Sequence, residues 1–314
     1  MKQLLLVAPE RFGMMEAILL GLKKYTVYEI DFLDLQTPTF RYKNFSQRVH
    51  NFFLKKFKKT NLKKTYHEKI IGIDIEQLRE HYDTILIIRP DMIEDHNLNL
   101  LRNKTNFFVA YYWDSVEFFP RKIIIKDWFD RVYSFDPEDC KKYGYTFLSN
   151  FYFYENKTAA ILYQVYNLST YDRRHSVLEK IAEKLEALNV SFCFKAYREK
   201  HFESKYTRQV FTLMNYTEML EEIAAAEILL DLHKANQTGL TFRPFEAMGL
   251  NKKLITTNKN IKDYDFFDEQ NILIIDEQNP VIPASFFEKP YTELPPAIKE
   301  KYHLKNWINI LLTR

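Results

Sequence analysis

The chain has 314 residues, of which 46% are apolar and 28% charged, and its formal net charge is +3. That is enough apolar material for two cores, and it excludes a disordered or collagen-like protein. Cys140 and Cys193 have no ligand spacing around them, which also excludes a disulfide framework and a structural zinc site.

The chain opens with an apolar run too short for a secretory leader and without a small-residue cleavage site, and no stretch of about 18 apolar residues follows. A cytoplasmic, non-spanning protein is expected. QLLLVA (3–8) predicts a strand, MMEAILLGLKK (14–24) a helix and TVYEID (26–31) a second strand. Residues 41–69 then hold ten Lys or Arg against one acid. Phe45, Val49, Phe52, Phe53 and Phe57 recur there at helical spacing beside Lys55, Lys56, Lys58 and Lys59, so a basic amphipathic helix is predicted. Its stripe either docks on its own domain or meets an anionic membrane surface. Nucleic acid ranks well below both, because the rest of the chain is acidic and carries no helix-turn-helix, RRM or zinc pattern.

Strands resume at 83–89, 106–113, 131–135 and 145–149. Between the last two, Asp136 and Pro137 read as the N-cap and first residue of a helix over 137–143. After an aromatic link at 150–158 the pattern restarts with strand 160–166, helix 173–188 and strand 190–195. A helix over 217–226 capped by Thr217, strand 227–233, helix 242–249, and strands 253–257 and 271–276 follow, and HLKNWINILLT closes the chain as a helix. Continuous apolar strands separated by helices mean parallel sheets covered on both faces. The expected fold is α/β, with two Rossmann-like doubly wound domains facing a cleft at the carboxyl ends of their strands.

No GxGxxG or GxxxxGK[ST] occurs, so phosphate must be met by helix starts and arginines. The stretch DLHKANQTGLTFRPFEAMGLNKKLITTN (231–258) spends two of the six glycines. Gly239 would allow close backbone approach, amides near Leu240, Thr241 and Arg243 would point out of the helix start, and Pro244 fits its first turn. Arg243 offers a planar fork to phosphate oxygens. Glu246, one turn on, either accepts ribose hydroxyls or supports the helix start electrostatically.

QTGLTFRPFEAMGLNKKLITTNKNIKDYDFFDEQNILIID resembles the C-terminal nucleotide-binding signature of bacterial GT-B glycosyltransferases of capsule or lipopolysaccharide synthesis. YYWDS and DRVYSFDPEDCKKYG resemble the matching N-terminal domain of the CgeB-like branch. The resemblance covers most of 83–313. It implies an acceptor-side domain at 1–153 carrying the basic insert 41–69, a nucleotide-sugar domain at 154–298, and a C-terminal helix at 299–314 crossing back to the first. It also implies ribose binding by Glu246 and no required metal. Relatives with a Glu-x7-Glu motif have an acid where this chain has Thr238, so no catalytic role is carried over to that position. Arg173 and Arg174 stand where relatives place a basic residue against the pyrophosphate.

Asp114 and Asp91 end strands of the first domain, and either could act as base toward an acceptor hydroxyl or cap a helix. Asp231 and His233 could touch the donor sugar. Asp263-Tyr264-Asp265 matches the manganese-binding Asp-x-Asp of other glycosyltransferases, but a loop turn is the favoured reading. The expected activity is transfer of a sugar from a nucleotide to a carbohydrate or lipid-linked glycan, in a protein peripheral on the inner face of the membrane. The alternative is a non-catalytic sugar-nucleotide or glycan-binding partner in a polysaccharide synthesis complex.

Overall fold

The apolar runs become two six-stranded sheets in the computed structural model, which describes residues 2–10, 13–58, 61–153, 159–235 and 237–314. Lys59 and the Lys58 side chain of the expected basic helix lie outside the described residues, as does the expected domain boundary at 154. The first sheet contains β1 (Gln3–Ala8), β2 (Glu29–Asp34), β3 (Thr84–Ile88), β4 (Phe108–Tyr112), β5 (Arg131–Ser134) and β6 (Thr146–Phe147), ordered β2-β1-β3-β4-β5-β6. The second contains β7 (Tyr163–Thr170), β8 (Phe192–Tyr197), β9 (Thr207–Val210), β10 (Ala226–Asp231), β11 (Lys253–Thr256) and β12 (Ile272–Ile274), ordered β12-β11-β10-β7-β8-β9. All of these strand pairs are parallel.

In the first half the connecting helices are α1 (Met14–Tyr25), α2 (Phe45–Lys58), α3 (Leu62–Glu76), α4 (Asp95–Arg102), α5 (Arg121–Ile124) and α6 (Pro137–Tyr143). In the second they are α7 (His175–Ala187), α8 (Tyr216–Ala224), α9 (Phe242–Gly249), α10 (Ser285–Glu288), α11 (Pro296–Lys301) and α12 (Leu304–Leu312). Strand alternation explains the two layers of each domain. Leu4, Leu6 and Ala8 face one apolar cluster while Leu5 and Val7 face another, so β1 is buried on both sides. Helix α12 returns to the first domain as expected, placing Leu304, Trp307, Ile308 and Leu311 in the same cluster as Leu4 and Leu6.

Several boundaries differ from the sequence reading. The second strand runs over Glu29–Asp34 rather than 26–31, because the Thr26 hydroxyl and amide both bond to the Leu22 carbonyl and finish α1. The cap of α8 is Asn215, in a reciprocal capping box with Glu218, and Thr217 lies inside the helix. The strand expected at 160–166 is displaced toward its polar end, Tyr163–Thr170, while Ile161 and Leu162 are exposed. Strand β9 and helix α3 were not anticipated at all. The first is a polar edge strand, and the second follows the lysine-rich segment, with only Ile71 and Ile75 fully buried to mark its inner face.

The domains meet at Asp136. Its buried carboxylate caps α6 through the amides of Glu138 and Asp139, and also accepts the Thr238 amide at 2.9 Å and the Thr238 hydroxyl across the interface. Beside it, the Asn150 side-chain amide donates to the Leu240 carbonyl at 2.9 Å. Gly239 is required here for space: a Cβ would lie 2.5 Å from the Phe135 carbonyl oxygen and 2.7 Å from its ring. Gly249 is likewise pressed against the Tyr152 ring. Gly239→Ala should therefore cost about 1–3 kcal/mol through overpacking, read as a lower denaturant midpoint. An unchanged midpoint would show that the loop yields freely.

Candidate functional site

A cleft of about 440 Å³ opens between the domains at the carboxyl ends of β4, β7, β8 and β10. The first domain contributes Met14, Trp113, Asp114 and Asn150, and the second contributes Arg174, Asp231, Lys234, Thr241, Arg243 and Glu246. The sequence expectations are thus partly brought together. Arg174, Asp231, Thr241, Arg243, Glu246 and Asp114 share one cavity.

Arg174 is held in place at the start of α7. Its guanidinium forks onto Asp172 at 2.7–3.1 Å, and a further N–H donates to the Leu232 carbonyl at 2.7 Å. Burial alone would raise the Asp172 carboxyl, but the bonds and charge of Arg174 outweigh it and hold the group low. Arg173 is exposed and does not line the cleft, so of the two arginines only Arg174 is on the cavity wall.

The start of α9 is built on Asp231. One carboxylate oxygen accepts the Thr241 hydroxyl at 3.0 Å and the other the Thr256 hydroxyl at 3.2 Å, which ties α9 to the ends of β10 and β11. Thr241 in turn accepts the Arg243 amide at 3.3 Å. That amide is taken and Pro244 has none, so neither backbone position can meet a phosphate at this helix start. Gly239 and Leu240 lie elsewhere than expected, at the domain interface rather than on the cleft wall, because Gly239 backs onto Phe135 and Leu240 is buried in the apolar cluster with Phe245. His233 also lies off the wall. Burial holds its imidazole below the usual value, and its Nδ1 is enclosed without a hydrogen-bond partner.

Arg243 and Glu246 form an ion pair at 2.7 Å on the inner turn of α9, and the Tyr216 hydroxyl donates to Glu246 at 3.3 Å. Glu246 is only 2% exposed. Burial pushes its carboxyl above the usual range, and the opposing charge of Arg243 does not cancel that. Each member of the pair offsets the desolvation of the other, leaving a cation and an anion poised on one wall of an open cleft.

Across the cleft, Asp114 follows β4 between Trp113 and a buried cationic frame. Arg89 donates to its carboxylate at 3.2 Å and forks onto Asp91 at 2.8 and 2.9 Å, while its guanidinium lies 3.7 Å from the Phe119 ring centre. Lys122, fully buried against Tyr112 and Phe119, donates to the Asp114 carbonyl. Burial lowers its ammonium to about 8, against the charges of Asp91 and Asp114. Arg89 has a left-handed backbone, φ 65°, a strained conformation for a long side chain. Asp91 is enclosed by the Arg89 fork and does not reach the cavity.

Arg89, Lys122, Lys234 and Tyr216 were missed by the sequence reading. Only Arg89 gave a signal, standing between a strand and Pro90. The Asp-x-Asp triplet lies on a second groove behind the interface, where Asp265 is engaged by Lys301 at 2.7 Å and Tyr302 at 2.6 Å. Among the described residues no cluster of three or more His, Cys, Asp or Glu side chains could hold a metal ion.

No family model and no curated protein matches the chain. Solved structures do. A UDP-forming alpha,alpha-trehalose-phosphate synthase from Burkholderia xenovorans superposes with a TM-score of 0.60 at 9% identity, covering 99% of this chain and 98% of that one. An alpha-glucosyltransferase in complex with UDP and a 13-mer DNA superposes with a TM-score of 0.54 at 11% identity, covering 99% and 95%. With the two facing parallel sheets, these matches give the chain the GT-B fold.

Proposed function

We propose that this chain is a glycosyltransferase of the CgeB-like branch, moving a sugar from a nucleotide-sugar donor to a carbohydrate or lipid-linked glycan acceptor in bacterial surface polysaccharide synthesis. The observation that carries this reading is the arrangement of one cleft: Arg174, Arg243 and Glu246 on one wall face Asp114 on the other. Its volume of about 440 Å³ is within the range of small-molecule sites. The domain built on the second sheet, 154–298, would hold the donor, 1–153 the acceptor, and 299–314 would strap the two together on the cytoplasmic side of the membrane.

Glu246 would accept the ribose hydroxyls, and Arg243, released from Glu246 as the nucleotide enters, would meet the diphosphate together with Arg174. Asp114 would take the proton from the acceptor hydroxyl as its oxygen bonds to the anomeric carbon. The bond from that carbon to the diphosphate breaks in the same event, and the departing negative charge falls on Arg174 and Arg243. Positioning and charge neutralisation supply most of the acceleration in such a scheme. UDP is the first nucleotide to test, since both structural relatives are described with it.

Transfer would need no divalent metal, because cationic side chains stand where the diphosphate would lie and Asp265 is committed to Lys301 and Tyr302. EDTA should leave the rate unchanged. Activity lost to EDTA and restored by manganese would overturn this.

One observation favours a second reading, a non-catalytic sugar-nucleotide or glycan-binding partner: Thr238 stands in place of an acid and is spent on Asp136. Incubation with radiolabelled UDP-sugars and a glycan acceptor separates the two. Released or transferred label supports the enzyme, whereas tight nucleotide binding without turnover supports the partner.

A further inference from the structure

Helix α2 is attached to the rest of the molecule by its polar side. Asn51 is the one buried residue between Phe45 and Phe57; its side chain donates to the Tyr42 hydroxyl at 2.6 Å and accepts the Leu62 amide at 2.7 Å. Gln47 and Leu54, one turn to either side, are half-buried. The other apolar residues face the other way. Phe45 is 79% exposed, Val49 38%, Phe52 62%, Phe53 51% and Phe57 70%. At 3.6 residues per turn these five span an arc of about 140° centred opposite Asn51. The stripe therefore does not dock on its own domain.

Lys56 lies within this arc and Arg48 and Lys55 are exposed about 40° and 60° beyond one edge of it, and among the described residues no carboxylate pairs with them. Phe53 and Phe57 stack on one another, with ring centres 6.1 Å apart, and Lys56 lies over Phe57. Five large apolar groups held in water on one helix face, with a cation among them and two more along one edge, form a surface that a purely apolar partner would not complement. A sheet of anionic headgroups over acyl chains would. Among the described residues no helix is long and apolar enough to cross a membrane, so any contact made by this helix would lie in the interface plane.

We propose that α2 docks this protein on an anionic lipid bilayer, with Phe52, Phe53 and Phe57 entering the acyl boundary while Arg48, Lys55 and Lys56 meet lipid phosphates. The inference does not depend on the reaction performed in the cleft.

The test is sedimentation of the full chain with vesicles of phosphatidylcholine alone or mixed with phosphatidylglycerol. Binding should require phosphatidylglycerol and fall as salt is raised. Each neutralised lysine in Lys55→Gln/Lys56→Gln should lower the partition coefficient about fivefold, the equivalent of ~1 kcal/mol. Phe52→Ser/Phe53→Ser/Phe57→Ser should lower it by more than about tenfold, losing the inserted area. Since these side chains are exposed, circular dichroism and the unfolding midpoint should stay at parent values, and nucleotide binding should persist in both variants. The proposal is overturned if the parent chain ignores phosphatidylglycerol vesicles, or if either variant binds them as the parent does. It is equally overturned if the serine variant instead converts a dimer to a monomer in velocity sedimentation, which would assign the face to a second copy of the chain.

Discussion

Asp114→Asn should lower the rate of sugar transfer by about 10²–10⁴-fold, the usual contribution of a positioned general base, and leave nucleotide affinity unaltered. The substitution keeps the shape of the side chain and its place beside Arg89, but an amide cannot take the acceptor proton. The surrounding frame makes this a clean experiment. Arg89 reaches the carboxylate from behind, Lys122 holds the backbone carbonyl, and Phe119 covers the guanidinium, so the residue at 114 is fixed by groups that do not face the cleft. Asp91→Asn is the matched control. It also loses a carboxylate, from the same arginine, yet lies outside the cavity; its cost should appear in stability rather than in loss of the chemical step. Equal rate losses at the two positions would remove Asp114 from the mechanism, and a fully active Asp114→Asn enzyme would do so outright.

The fold was legible because buried parallel strands write themselves as unbroken apolar runs. QLLLVA, TILII and FVAYY are buried almost end to end in the structure. The edges were not legible for the converse reason. Strand β9 reads TRQV, with one face toward solvent and no apolar run, and its assignment rests on pairing with β8 that no local pattern announces. Within the site, Arg243 and Glu246 could be found because both lie on one helix at a spacing that puts them on one face. The roles of Gly239 and Leu240 could not, since what constrains them is Phe135 and Asn150, about a hundred residues away in sequence. The same holds for Arg89. Its partners Asp114 and Phe119 come from another strand end, and only assembly of the sheet brings them together. Gly239 is expected from sequence to serve a ligand, but it serves packing against Phe135. Gly249, the last residue of α9, is spent the same way against the Tyr152 ring.

The Arg243–Glu246 pair offers the sharpest separation of binding from folding, because each residue both partners the other and faces the cleft. Glu246→Ala should weaken a nucleoside by roughly 1.5–3 kcal/mol for each charge-assisted hydrogen bond lost. It should also destabilise the protein, since removing one member of a buried pair leaves the other charge uncompensated at a cost of about 3–5 kcal/mol. Arg243→Ala should weaken a nucleoside diphosphate far more than the bare nucleoside, its partner being phosphate. Acidity adds a second signature. The Glu246 carboxyl is raised in the folded state, so the stability it contributes is present at low pH and is lost as pH rises through that raised value. Ribose hydroxyls bond more strongly to the ionised form, so parent affinity should rise over the same interval, while Glu246→Gln should flatten both slopes. The double variant Arg243→Met/Glu246→Leu decides between the two roles. Replacing the whole pair by apolar side chains of similar size should restore most of the stability that either alanine variant loses, yet nucleotide binding should be abolished. If calorimetry finds the double variant stable and still binding UDP at parent affinity, the pair is a packing device of α9, and the donor site must lie elsewhere in the cleft.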